Sequence, residues 1–132
     1  MPVSVVYEND GLGVVMTAFG VMQENDFADA NAQLYVPEVM AKLKYEIVDI
    51  RDVENVDTNL EKLKDLAQTD KDASDLIPGL KIAIVASSGV LEALAQVYER
   101  MAKCDTLKTK VFRTLPEARL WIADCVVVEE SA

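Results

Sequence analysis

Four acids crowd one short stretch of the chain, Asp49, Asp52, Glu54 and Asp57, directly after an apolar run. Carboxylates grouped near a strand end can hold Mg²⁺ through one or two oxygens and several waters. The same spacing fits a solvated sheet edge, and that reading is the one adopted here, with no metal expected. Ser87-Ser88-Gly89 follows a second apolar run, Lys81 to Ala86. In open α/β sheets ligands bind outside the carboxyl ends of strands, so these three residues are a candidate contact. Serine at that position also serves as a plain helix N-cap. Thr58 with Glu61 three residues on has the spacing of a capping box. Gly11-Leu12-Gly13 reads as a turn rather than a phosphate loop, because no helical pattern follows it.

What is missing narrows the chemistry further. The chain contains no histidine. No Ser-His-Asp or Cys-His pair can form, and neither can a His-containing metal site. The two cysteines, Cys104 and Cys125, show no CxxC spacing and read as reduced thiols. The expectation is a protein that binds, without catalytic residues, metal or cofactor.

Charge is unevenly placed. Residues 1–80 hold 16 acidic and 6 basic side chains, and residues 81–132 hold 7 of each, so the net −10 lies in the first part. Nucleic-acid binding depends on Lys and Arg neutralising phosphates, so this distribution argues against DNA and RNA. An anionic membrane surface is disfavoured on the same ground. No apolar run approaches the ~20 residues a membrane helix needs. Met1-Pro2-Val3-Ser4 has no basic stretch before an apolar one. A cytoplasmic protein is expected, with 132 residues enough for a single domain over 1–132.

The elements that must position these residues follow from period and punctuation. Val3–Glu8 and Leu12–Met22 are β-rich and flank Asn9-Asp10-Gly11, the strongest short hairpin signal. From Glu24 the apolar period turns helical, with a break expected at Pro37. Tyr45–Ile50 reads as a third strand, and Thr58 opens a helix whose stripe is Leu60, Leu63, Leu66 and Ala67. Thr69 to Asp75 is a polar tract before the Pro78-Gly79 turn. The Lys81–Ala86 run suits a strand covered on both faces. Val90, Leu91, Leu94, Val97, Tyr98 and Met101 form one helical stripe. Thr109–Arg113 is a fifth strand, and Thr114–Asp124 a last helix with Thr114 and Glu117 at capping-box spacing. The tail from Val126 begins β-like and ends acidic, so it is expected to add an edge strand or fray. Strands alternating with helices after the hairpin imply a mostly parallel sheet with crossover helices.

This order resembles the STAS fold of bacterial anti-sigma-factor antagonists, and more closely the SpoIIAA-like branch grouped with Sec14-type carriers. The segments carrying the resemblance are Glu24–Phe27, Tyr45–Val53, Pro78–Ser87 and Val111–Ile122, which fall in order along most of the length of the chain. The resemblance implies an α/β fold with a mixed sheet of about five strands, an N-terminal hairpin and about four crossover helices. It also implies no inherent enzymatic activity.

Antagonists of this type carry a phosphorylated Ser after an Asp. The matching stretch here places Asp57-Thr58 at that position. Residues 49–75 hold nine acids and four bases, a repulsive field for a phosphate, so capping is preferred over a switch. Phe27, Leu34, Met40, Val97, Met101 and Trp121 are candidates for an apolar pocket or a dimer face. The function expected is a module acting through protein–protein contact, as a homodimer, on a partner with a basic face. The alternative is a carrier or sensor of a small apolar ligand.

Overall fold

A computed structural model describes residues 3–126 of the chain. The opening hairpin pairs β1 (Val3–Glu8) antiparallel to β2 (Gly13–Met22). Its turn needs the left-handed backbone that Asn, Asp and Gly tolerate best, and φ is 53°, 57° and 89° at Asn9, Asp10 and Gly11. After β2 come α1 (Asp26–Leu34) and a short α2 (Pro37–Met40). Pro37 sets the break between them, because proline fits the first turn of a helix and not its interior.

The remainder alternates: β3 (Tyr45–Val56), α3 (Leu60–Leu76), β4 (Leu80–Val85), α4 (Gly89–Met101), β5 (Leu107–Phe112) and α5 (Leu115–Ile122). The sheet order is β1-β2-β3-β4-β5, with every pair after the hairpin parallel. Right-handed crossovers that always advance in one direction put their helices on one side of the sheet. Residues of α1, α2, α3 and α4 accordingly share one core with Val14, Met16, Ile50 and Ile82. α5 follows the last strand and lies on the opposite side, packing Ala118 and Ile122 on Tyr45, Ile47, Ala83 and Val85. The result is the five-stranded mixed α/β sheet anticipated above.

The largest departures from the sequence reading are in β3 and α3, while β5 begins at Leu107 rather than Thr109 and α5 ends at Ile122 rather than Asp124. β3 runs on past Ile50 to Val56, pairing with β2 through irregularities after Thr17 and Gly20. α3 starts at Leu60 rather than Thr58, because Asn59 is the cap: its Oδ1 accepts from the Lys62 N–H at 2.9 Å. α3 also continues through the polar tract, whose Asp70, Ala73 and Ser74 face inward in line with Leu63 and Ala67. A stripe continued by polar residues does not look like one by hydropathy. The α5 cap matches its expectation, with Thr114 Oγ1 accepting from the Glu117 N–H at 3.4 Å. Residues 123–126 form a 3₁₀ turn, and the rest of the tail lies outside the described residues.

Candidate functional site

The sheet and the α1–α3–α4 layer do not close completely. A cavity of about 110 Å³ remains between them. Its walls are apolar: Met16, Val48, Ile50 and Ile84 from the sheet, Phe27 from α1, and Leu63, Leu66, Leu91 and Leu94 from α3 and α4. Val56 and Thr58 flank the end nearest the carboxyl ends of the strands. The other end is polar, formed by Glu46, Asp70, Asn31 and Tyr98.

Two carboxyl groups in that polar end are withdrawn from water. Glu46 is 1% exposed and Asp70 is 5% exposed. The Tyr35 hydroxyl stands 2.7 Å from Glu46 Oε2 and 2.5 Å from Asp70 Oδ1. Tyr98 donates to Asp70 Oδ2, and Asn31 Nδ2 donates to Asp70 Oδ1 at 3.4 Å. A phenol carries one hydrogen and cannot donate to both acids. The arrangement is satisfied when Glu46 keeps its own proton and donates it to Tyr35, which donates to Asp70. Burial first, and the neighbouring charge of Asp70 second, push the Glu46 carboxyl up to about 8. Burial also raises Asp70, to about 6, while its bonds from Tyr35 and Tyr98 pull the other way. Near neutrality the two carboxyls of the chain Glu46–Tyr35–Asp70–Tyr98 therefore share one proton and carry one buried negative charge.

None of these polar groups was singled out from the sequence, yet two signals were present. A glutamate inside Tyr45-Glu46-Ile47-Val48 lies on a central strand, where both faces are covered. Asp70 falls three residues after Ala67 and seven after Leu63, on the buried stripe of its helix.

The candidates drawn from sequence are dispersed. Of the apolar six, Phe27 lines the cavity. Leu34, Met40, Val97 and Met101 pack in the helix-side core, and Trp121 lies across the sheet against Phe112, with ring centroids 5.6 Å apart. These six side chains do not share one surface. Thr58 is half-buried at the cavity end, whereas Asp57 is exposed. Ser87, Ser88 and Gly89 are exposed past the end of β4, and Ser88 takes the N-cap position of α4 without a hydroxyl cap bond. Substituting alanine at Asn59 is therefore expected to cost about 1 kcal/mol in urea denaturation, and at Thr58 much less.

The four acids also part company. Asp49 is buried and accepts from Arg51 Nε at 2.9 Å and Nη2 at 2.8 Å. Burial pushes its carboxyl up, but the Arg51 side chain and backbone N–H together hold it below the usual range. Asp52, Glu54 and Asp57 are exposed. Among the described residues no three acidic or cysteine side chains converge to hold a metal ion. Both cysteines are free.

One further surface stands out. α5 covers β3, β4 and β5, and leaves the same side of the hairpin open. Strand alternation puts Val6, Val15, Phe19 and Val21 on that side, opposite the inward Val14, Met16, Ala18 and Met22. Val6 and Val21 are each 56% exposed and Phe19 is 47% exposed. Glu8 and Arg119 border this strip with an ion pair, Nη1 to Oε2 at 2.6 Å.

No family model matches the chain, and no curated protein does either. Solved structures do. The anti-sigma factor antagonist SpoIIAA in its unphosphorylated form is 9% identical, with 92% of this chain and 97% of that one covered at a TM-score of 0.64. An uncharacterized DUF3478-family protein with a SpoIIAA-like fold from Shewanella loihica PV-4 is 15% identical, with 90% of each chain covered at 0.57. No helix among the described residues is long and apolar enough to cross a membrane. At these identities the likeness is one of architecture, and in architecture the chain has the SpoIIAA-like fold.

Proposed function

We propose that this protein is a non-catalytic regulatory module of the cytoplasm that works through protein–protein contact, using the open side of its hairpin. The observation that carries the reading is the strip of Val6, Phe19 and Val21 on a sheet face that α5 leaves uncovered. Exposed apolar side chains on one face of a rigid sheet, with a charged pair at one end, suit an interface core and rim. The fold shared with an anti-sigma factor antagonist supports the regulatory part. The absence of histidine supports the non-catalytic part. With a net charge of −10, a heterologous partner would present a basic rim, while a second copy would join by apolar contact against charge repulsion.

Phe19→Asp is the test, because a buried aromatic anchor is often worth ~2 kcal/mol or more to an interface. Sedimentation velocity on the unaltered protein is expected to show a dimer favoured by salt, with the variant dissociating at concentrations roughly 30-fold higher. A monomer at all concentrations removes the homodimer and leaves the heterologous partner. Equal capture of host proteins by wild type and Phe19→Asp would then reject the face itself.

A further inference from the structure

The cavity holds a problem that the fold alone does not solve. Glu46 is almost wholly buried, its Oε2 is engaged with Tyr35, and its Oε1 makes no hydrogen bond among the described residues but keeps some accessible surface, the fully enclosed side-chain atom without a partner being Thr109 Oγ1. The groups facing it are Tyr35 before α2, Asp70 and Asn31 on α3 and α1, and Tyr98 on α4. Among the described residues no Lys or Arg lines the cavity. A buried anion without a cation is costly, and a free carboxyl oxygen beside it is an acceptor awaiting a donor.

We infer that the cavity binds a small primary amine on an apolar body, its ammonium group bonded to Glu46 Oε1 and its hydrocarbon among Phe27, Leu63 and Leu94. The ammonium supplies both things the site lacks, a donor for Oε1 and a positive charge opposite Asp70. The leucine and phenylalanine walls take the hydrocarbon. Size limits the class: a cavity of about 110 Å³ is somewhat smaller than the engineered cavity of ~150 Å³ that accepts benzene. About six carbons is therefore the scale of the body. A carboxylate of the same shape would meet Asp70 as a like charge, and an alcohol would provide a donor without the charge. This binding does not depend on the protein-contact reading, since Phe19 lies on the other side of the sheet.

n-Hexylamine, 1-hexanol and hexanoate separate these possibilities in ¹⁵N NMR titrations of the full chain. At pH 7 hexylamine is expected to shift the amides around Glu46, Asp70 and Leu94, with an affinity at least about tenfold above hexanol. Hexanoate is expected to be weakest. At pH 5, where Asp70 has taken up a proton, the preference for amine over alcohol should collapse while hexanol binding holds. Glu46→Leu removes the acceptor and still lets Tyr35 donate to Asp70, so it should cost hexylamine at least about tenfold and hexanol a smaller factor, that of one neutral hydrogen bond. If that variant does not fold, the pH comparison on the unaltered chain decides alone. Equal binding of amine and alcohol at pH 7, an undiminished amine preference at pH 5, or no binding by any probe at 10-millimolar order overturns the inference.

Discussion

Raising the pH from 5 to 8.5 is expected to lower the protein's resistance to urea, in contrast to the common pattern in which paired carboxylates favour the higher pH. The cause is Glu46. Its carboxyl is pushed up to about 8 in the fold from an ordinary 4.5, by burial and then by Asp70. Between those two values the folded chain holds a proton that the unfolded chain has released, so stability falls as pH rises through the window. Asp70, raised to about 6 by burial, adds to the slope at its lower end. Below about pH 4.5 the opposite groups take over. Glu8, held low chiefly by its bond from Arg119, and Asp49, held low by Arg51, lose their contribution on protonation. Maximum stability is therefore expected near pH 5. Glu46→Gln mimics the protonated acid, with its amide donating to Tyr35. That variant should match wild type at pH 5 and exceed it by on the order of 3 kcal/mol at pH 8.5. Parallel pH profiles of the two proteins would show that Glu46 is ionised throughout.

The same residues show why the fold was more legible than the site. Local rules governed the turn at Asn9–Gly11, the break at Pro37 and the cap at Thr114, and each depends on a few neighbouring side chains. The α3 cap moved by one residue because Thr58 and Asn59 are both competent, and only Asn59 has its oxygen over the Lys62 N–H. The polar end of the cavity brings together positions 31, 35, 46, 70 and 98 from four elements and the turn after α1. No spacing along the chain records that meeting. The strand order is likewise a property of crossovers, and the sequence reading reached it through resemblance. Buried polar groups carry a partial signal, since a strand with covered faces should not tolerate Glu46 without a reason.

Gly13 reads from the sequence as turn chemistry, but close approach decides its replaceability, and Gly13→Ala is expected to destabilise the protein by about 3 kcal/mol. Gly13 begins β2 and pairs with Tyr45 of β3 on one side and Glu8 of β1 on the other. The Tyr45 ring lies against it so closely that an added Cβ would stand 1.9 Å from Cζ. The ring has nowhere to go. Tyr45 is fully buried, packs in the α5-side core, donates its hydroxyl to Glu8 and accepts from Asn9 Nδ2 at 2.8 Å. Glu8 is in turn clamped by Arg119 of α5, so displacing the ring disturbs hairpin, central strand and α5 together. Thermal and urea denaturation of four proteins measure this: wild type, Gly13→Ala, Tyr45→Ala and the double variant. Tyr45→Ala alone should cost about 3–5 kcal/mol as a large-to-small change. With the ring gone, Gly13→Ala should cost under ~1 kcal/mol, a coupling of roughly 2 kcal/mol between the two sites. Additive losses would mean that the glycine serves the backbone of the hairpin and not the seat of the ring.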